Sequence, residues 1–181
     1  MQRPMSIARE PLIVTASTGA AVGTISFGGR THRCALGSSG ILAAKREGDG
    51  ATPAGRWPLK RVLYRPDRHA LPLTGLPLSA IQPDDGWCDD PADAAYNRPV
   101  ALPHRSSAEA MWRSDHLYDL VVVLGHNDDP VISGAGSAIF LHLSRPTYEP
   151  TAGCVAVNFP DMIEILRHSL PGTEMLIGLA R

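Results

Sequence analysis

The sequence predicts a mainly β fold of many short strands in mixed sheets, with a few short helices. Two observations carry that reading. Sixteen prolines and 17 glycines in 181 residues demand frequent turns, which short strands accommodate and a helical bundle does not. The apolar runs are brief and β-branched, and Leu120-Val121-Val122-Val123-Leu124 has the pattern of a strand buried on both faces. The length suits one domain over residues 1–181 with a core of its own.

In chain order, Leu12–Thr15 and Gly23–Phe27 read as strands. Gly28-Gly29 supplies the backbone freedom of a tight hairpin, with Thr31–Leu36 as the returning strand. Residues 37–55, rich in glycine, serine and charge, read as a long loop. Trp57, Leu59 and Leu63 then share one side of a strand in which Pro58 suggests an edge position at its start. Residues 66–103 are dense in proline and aspartate, and the embedded Trp87 and Tyr96 mark an ordered surface excursion. Ser106-Ser107-Ala108-Glu109 has the spacing of a capping box and predicts a short helix through Trp112. Strands are expected at 120–124, 138–143 and 154–157. Asn158 is placed to cap a helix with Met162, Ile165 and Leu166 on one face, which Pro171-Gly172 follows, and Glu174–Leu179 is the last strand.

Composition excludes several function classes. A formal net charge of -1, with no basic run, gives no electrostatic case for nucleic acid or an anionic membrane. The longest central apolar run is far too short to span a bilayer. Met1-Gln2-Arg3-Pro4-Met5, soon followed by Arg9 and Glu10, lacks the continuous apolar stretch of a secretory signal, so the expected location is cytoplasmic, or periplasmic if a leader has been removed. Three cysteines, Cys34, Cys88 and Cys154, give an odd number with no short pairing, which argues against a disulfide framework. No Cys-x-x-Cys or His-x-x-x-His spacing occurs, so no metal and no cofactor is expected.

The chemistry concentrates in Gly136-Ser137-Ala138-Ile139-Phe140-Leu141-His142 and Thr151-Ala152-Gly153-Cys154-Val155. An imidazole ends one apolar strand, and a thiol opens another directly after a glycine. If those strands are neighbours, the 146–150 loop brings His142 and Cys154 together. A thiol is a weak nucleophile until deprotonated, and an adjacent imidazole takes its proton or stabilises the thiolate. Gly153 leaves room for a substrate carbonyl, and backbone N–H groups near Cys154 suit an oxyanion. Against this stands a plainer reading: a cysteine in a β-branched strand and a histidine on an apolar one are commonly packed core residues.

These residues resemble the active-site signature of the L,D-transpeptidase catalytic domain family, also called the YkuD domain, in which a strand-end histidine precedes a Ser/Thr-His-Gly-Cys element. Thr52-Pro53-Ala54-Gly55-Arg56-Trp57 resembles the family's Thr-Pro-x-Gly-x-aromatic element, in the right order upstream, and the likeness extends over roughly residues 34–179. It implies a β-sandwich-like domain and ping-pong chemistry on peptidoglycan stem peptides or muropeptides. Cys154 would attack the carbonyl of the third stem residue and release terminal D-alanine. His142 would serve as base and then acid, with the Leu143 carbonyl orienting its ring. Carbapenem-type inhibitors are implied as acylating agents.

Two positions depart from the family pattern. Ala152 stands where a histidine is usual, and Val155-Ala156 follows the cysteine where arginine or asparagine is common. Arg145, Arg46 and Asn127 are the substitutes for anchoring substrate, an arginine being suited to a carboxylate. His126, Thr151 and Ala152 are further candidates for the substrate pocket, although a strand-end histidine such as His126 is more commonly a surface group. The excursion around Trp87, Cys88 and Asp89 reads better as a loop anchor than as a substrate wall.

The expected activity is L,D-carboxypeptidase trimming of tetrapeptides in cell-wall recycling, favoured by the absence of a leader and of an appended wall-binding domain. Its alternative is transpeptidation between stems, and a second alternative is a non-catalytic binding domain of the same fold. A papain-like peptidase is disfavoured, because there the cysteine precedes the histidine.

Overall fold

The computed structural model describes residues 10–180, so the reading of Met1 to Arg9 as lacking a secretory signal lies outside the described residues. Strands β1 (Leu12–Ala16), β2 (Val22–Phe27) and β3 (Arg30–Ala35) form an antiparallel meander. Its second turn is made by Gly28 and Gly29 at φ 56° and 72°, the conformation a two-residue hairpin requires. The 37–55 stretch holds a short parallel pair, β4 (Ile41–Leu42) and β5 (Thr52–Pro53). Between them the Asp49 carboxylate accepts from the Arg46 and Ala51 amides and pairs with Lys45.

β6 (Gly55–Tyr64) is the longest strand, and β7 (Leu78–Ala80) runs parallel to its end. Three short strands in the 85–110 region, β8 (Asp85–Cys88), β9 (Pro99–Ala101) and β10 (Ala108–Ala110), make a separate sheet in the order β10-β8-β9. Then come β11 (Leu120–Leu124), β12 (Phe140–Leu143) and β13 (Val155–Val157). Helix α1 (Phe159–His168) and β14 (Glu174–Leu179) complete the chain. The Asn158 side chain accepts from the Asp161 amide at 2.9 Å and Met162, Ile165 and Leu166 are buried, as the sequence predicts.

The main sheet runs β11-β12-β13-β3-β2-β1-β14-β6-β7, and β6 also pairs with β11. Residues 55–58 of β6 face β14, while 59–64 face β11, so the sheet closes on itself. Pro58, which has no N–H to give, sits at the changeover. Parallel pairs (β1 with β14, β12 with β13) mix with antiparallel ones.

Closure creates two apolar layers. Leu120, Val122 and Leu124 of β11 join Leu141, Val155 and Leu166 in the core inside the closed sheet. Val121 and Val123 point the other way, into a second cluster with Trp87, Met111, Tyr118, Phe140 and Cys154. This is why β11 is apolar without alternation. The excursion supplies the cover for that outer face, with Trp87 edge-on to Phe140 at 5.1 Å.

One expected helix is absent. Residues 108–110 pair as β10 with Gly86–Cys88, and the capping-box groups serve elsewhere: the Ser106 hydroxyl donates to Asp93 at 2.6 Å, and Glu109 accepts from the Tyr118 hydroxyl. Local helix preference yields here to strand pairing over the second core. Among the described residues α1 is the one α-helix, and no helix is long and apolar enough to cross a membrane.

Candidate active site

β12 and β13 lie side by side in parallel, with Leu141 opposite Val155 and His142 opposite Ala156. The strands are one to two residues shorter than the sequence predicts, because Ala138 takes a left-handed φ of 51° and Cys154 precedes the ladder. Phe140 and His142, two residues apart, share the outer face. His142 lies edge-on to Tyr118 at 5.2 Å, and Cys154 and Tyr118 both pack with Phe140 in the outer cluster. Cys154 and His142 both line one cavity of about 450 Å³.

The backbone before the thiol is tightly held. Gly153 has φ 142°, and a Cβ there would come within 2.8 Å of the Ala51 carbonyl, so only glycine fits. The Thr151 hydroxyl donates to the Cys154 carbonyl at 2.7 Å and accepts from the Gly153 amide at 3.1 Å. Thr52 reaches the same carbonyl at 3.5 Å and accepts from the Gly37 amide. The two sequence elements singled out above, 52–57 and 151–155, thus meet at Cys154.

The Cys154 thiol and the His142 imidazole both rest uncharged. The Cys154 thiol donates to the Ala138 carbonyl at 3.2 Å and receives the Phe140 amide at 3.4 Å. Burial, then the negative charge of Glu109, pushes its pKa up to about 12 against the Phe140 hydrogen bond. His142 Nδ1 lies 2.8 Å from the Leu143 carbonyl, which fixes the proton on Nδ1 and leaves Nε2 as the basic nitrogen. Burial holds its pKa down at about 4 despite that hydrogen bond.

Of the other expected site residues, Gly153, Leu143, Arg145, Thr151 and Ala152 line the cavity; Arg46, His126 and Asn127 do not. Arg46 is exposed on the 43–51 loop, where Lys45 and Glu47, one position to either side, turn into the cavity instead. His126 is buried against Trp57 at 4.7 Å with Nε2 3.0 Å from the Ala135 carbonyl. Asn127 spends its side chain on Ile132 and Gly136, organising its own loop.

The sequence reading missed Glu109, Arg113 and Tyr118 and treated Asp89 as part of an anchor; all four line the cavity. Alternation along β8 would have flagged Asp89, two residues beyond the buried Trp87. Glu109 was concealed by the helical reading of its segment. Cys34 and Cys88 are buried free thiols, and burial pushes Cys34 up to about 12. Cys88, Asp93 and His104 bring donor atoms within 4.8 Å of one another, but Asp93 already accepts from Ser106, Ala95 and Arg105, which makes it a hydrogen-bond hub.

No curated protein and no solved structure matches the chain. The family model described as the L,D-transpeptidase catalytic domain, YkuD, matches residues 16–177, a span that takes in both sequence elements and every residue lining the cavity. The chain belongs to the L,D-transpeptidase catalytic domain (YkuD) family.

Proposed function

We propose that this family member acts on peptidoglycan tetrapeptide stems through a Cys154 thioester, releasing terminal D-alanine. The observation that carries the reading is the thiol and a Nδ1-anchored neutral imidazole on the walls of one accessible cavity. The thiol leaves the Ala138 carbonyl and passes its proton to Nε2 of His142 as sulfur adds to the substrate carbonyl. A base with a pKa near 4 and a thiol near 12 are mismatched in the resting state, so proton transfer is coupled to carbon–sulfur bond formation rather than preceding it. The imidazolium then gives its proton to the departing D-alanine nitrogen, leaving the thioester. Arg145, on the cavity wall and half-exposed, suits the terminal carboxylate of the stem.

Attack on the thioester by water gives a tripeptide, the L,D-carboxypeptidase outcome that we favour; attack by an amine of a second stem gives a cross-link. Incubation with a purified disaccharide-tetrapeptide followed by mass spectrometry separates the two. Tripeptide alone means hydrolysis and dimers mean transfer. An unchanged tetrapeptide together with a thiol at 154 no more reactive than Cys34 would sink the catalytic reading and leave a binding domain.

A further inference from the structure

The fold buries a cation in the wall of the cavity. The Lys45 side chain lines it at 5% exposure, whereas the neighbouring Arg46 stays in solvent. The lysine stem runs close along the backbone at Gly136, where a Cβ would come within 2.9 Å of Lys45 Cγ and 3.1 Å of Cε. An ammonium has three donors. One meets Asp49 and one the Arg46 carbonyl at 2.9 Å, which leaves the third without an acceptor among the described residues. Holding the turn does not account for the burial. Asp49 already closes it through the Arg46 and Ala51 amides at 2.7 and 2.8 Å, and a lysine reaching Asp49 from solvent would serve as well.

The same turn is packed onto the thiol segment. The Ala51 carbonyl lies where a Gly153 side chain would be, the Ser38 amide donates to the Thr151 carbonyl at 3.1 Å, and Thr52 reaches the Cys154 carbonyl. Lys45 is thereby fixed relative to the sulfur. Burial and then the Glu109 charge oppose ionisation of Cys154, while the Phe140 amide and the Lys45 charge favour it. The other cations of the wall are spent elsewhere. Arg113 grips Asp115 and adds to the burial that holds His142 neutral, and Arg145 is half-exposed beside the same aspartate.

We propose that the Lys45 ammonium stabilises the negative charge that the Cys154 sulfur carries on the way into and out of the thioester. The inference rests on the proposed function in taking that thioester as the intermediate. In the first half, the S–H proton passes to Nε2 of His142 and a sulfur lone pair becomes the carbon–sulfur bond. In the second, water adds to the thioester carbonyl and yields a proton to Nε2. The carbon–sulfur bond then breaks, its electron pair returns to sulfur, and sulfur takes that proton. Sulfur is most anionic while the bond is partly formed, and a cation already fixed by packing needs no reorganisation at that moment.

Alkylation by iodoacetamide reads the sulfur directly. The neutral reagent forms a carbon–sulfur bond as iodide leaves, and peptide mapping separates Cys154 from Cys34, a buried internal control. Lys45→Gln keeps amide donors for Asp49 and the Arg46 carbonyl but carries no charge. Its Cys154 rate is expected to fall roughly three- to tenfold across the pH profile, which moves to higher pH by up to about one unit. Lys45→Arg keeps the charge and stays within about twofold of the wild type. Asp49→Asn removes the counter-charge and should speed the reaction about twofold or more. A loop merely held together by the ion pair would respond in the same direction in Lys45→Gln and Asp49→Asn. Should Lys45→Gln not fold, Asp49→Asn decides alone, and an unchanged or slower rate there overturns the proposal. So would an unchanged rate in folded Lys45→Gln, or a folded Lys45→Arg as slow as Lys45→Gln.

With a purified disaccharide-tetrapeptide, Lys45→Gln is expected to lower kcat and leave KM nearly unchanged, because the sulfur is charged only in the chemical steps. A raised KM with kcat intact would assign Lys45 to holding substrate and overturn the proposal. Charge-dependent alkylation without any turnover of stem peptides would retire the proposed function and leave the action of Lys45 on the sulfur standing.

Discussion

At the scale of the residue, the site depends on a few atoms held where nothing else fits. Replacing Cys154 with serine keeps the packing but removes the polarisable sulfur proposed as the nucleophile. The proposed release of D-alanine is expected to slow by about three orders of magnitude or more, measured as tripeptide formed per unit time. His142→Gln keeps a polar group against the Leu143 carbonyl but has no basic nitrogen, so it should lower the acylation rate by at least about a hundredfold while substrate still binds. Gly153→Ala is different in kind. Its Cβ would press on the Ala51 carbonyl from a φ that L-residues rarely adopt, so thermal melting should show destabilisation of about 1–3 kcal/mol.

At the scale of the element, Asn97 ties the excursion to the segment that leads into β12. Its Oδ1 accepts from Trp87 Nε1 at 2.9 Å and from the Ala138 amide at 3.1 Å, and its Nδ2 donates to the His126 and Asn127 carbonyls. Ala138 in turn offers the carbonyl that holds the thiol. Asn97→Ala strands several buried polar groups and is expected to cost about 2–4 kcal/mol. Hydrogen exchange should show protection lost at Ala138 and across β8–β9 while β1 to β3 stay protected; uniform loss would place the effect elsewhere. Such ties are what a sequence reading cannot see. The hairpin at Gly28-Gly29, the doubly buried β11 and the capped α1 each announce themselves through local pattern. Asn97 acts through His126, Asn127 and Ala138, 29 to 41 residues away, and Glu109 is hidden by the helix-like spacing of its own segment. The order of His142 and Cys154, together with the resemblance to a family motif, singles the pair out, and both line one cavity. Arg46, by contrast, was chosen for its charge, and the turn organised by Asp49 faces it to solvent.

At the scale of the whole molecule, the buried neutral imidazole ties stability to pH. His142 titrates near 4 when folded, below its ordinary value of 6.5. The unfolded chain therefore binds the extra proton first as pH falls, and this contribution, present above 6.5, is lost between about 6.5 and 4. Its size is on the order of 3 kcal/mol. Asp115, held down at about 2 by Arg113, adds a separate loss only at more acid pH. Urea unfolding at pH 7 and pH 4.5 should show the drop in the wild type and a flatter profile in His142→Gln; identical slopes would refute the assignment. On the alkaline side, the Cys154 and Cys34 thiols stay protonated up to about 12 when folded. The stability they confer is complete below 9 and fades as pH climbs through 12.

Cys154 and His142 lie on the outside of a sheet that closes without them. The ring of strands seals its own interior with Leu12, Val122 and Leu141, none of which lines the cavity. Everything that gives the cavity its charge and shape beyond β12 and β13 comes from loops and from the small sheet laid over the ring. Lineages sharing this scaffold are therefore free to exchange that outer covering and acquire new substrates, with little risk to the frame that aims the sulfur.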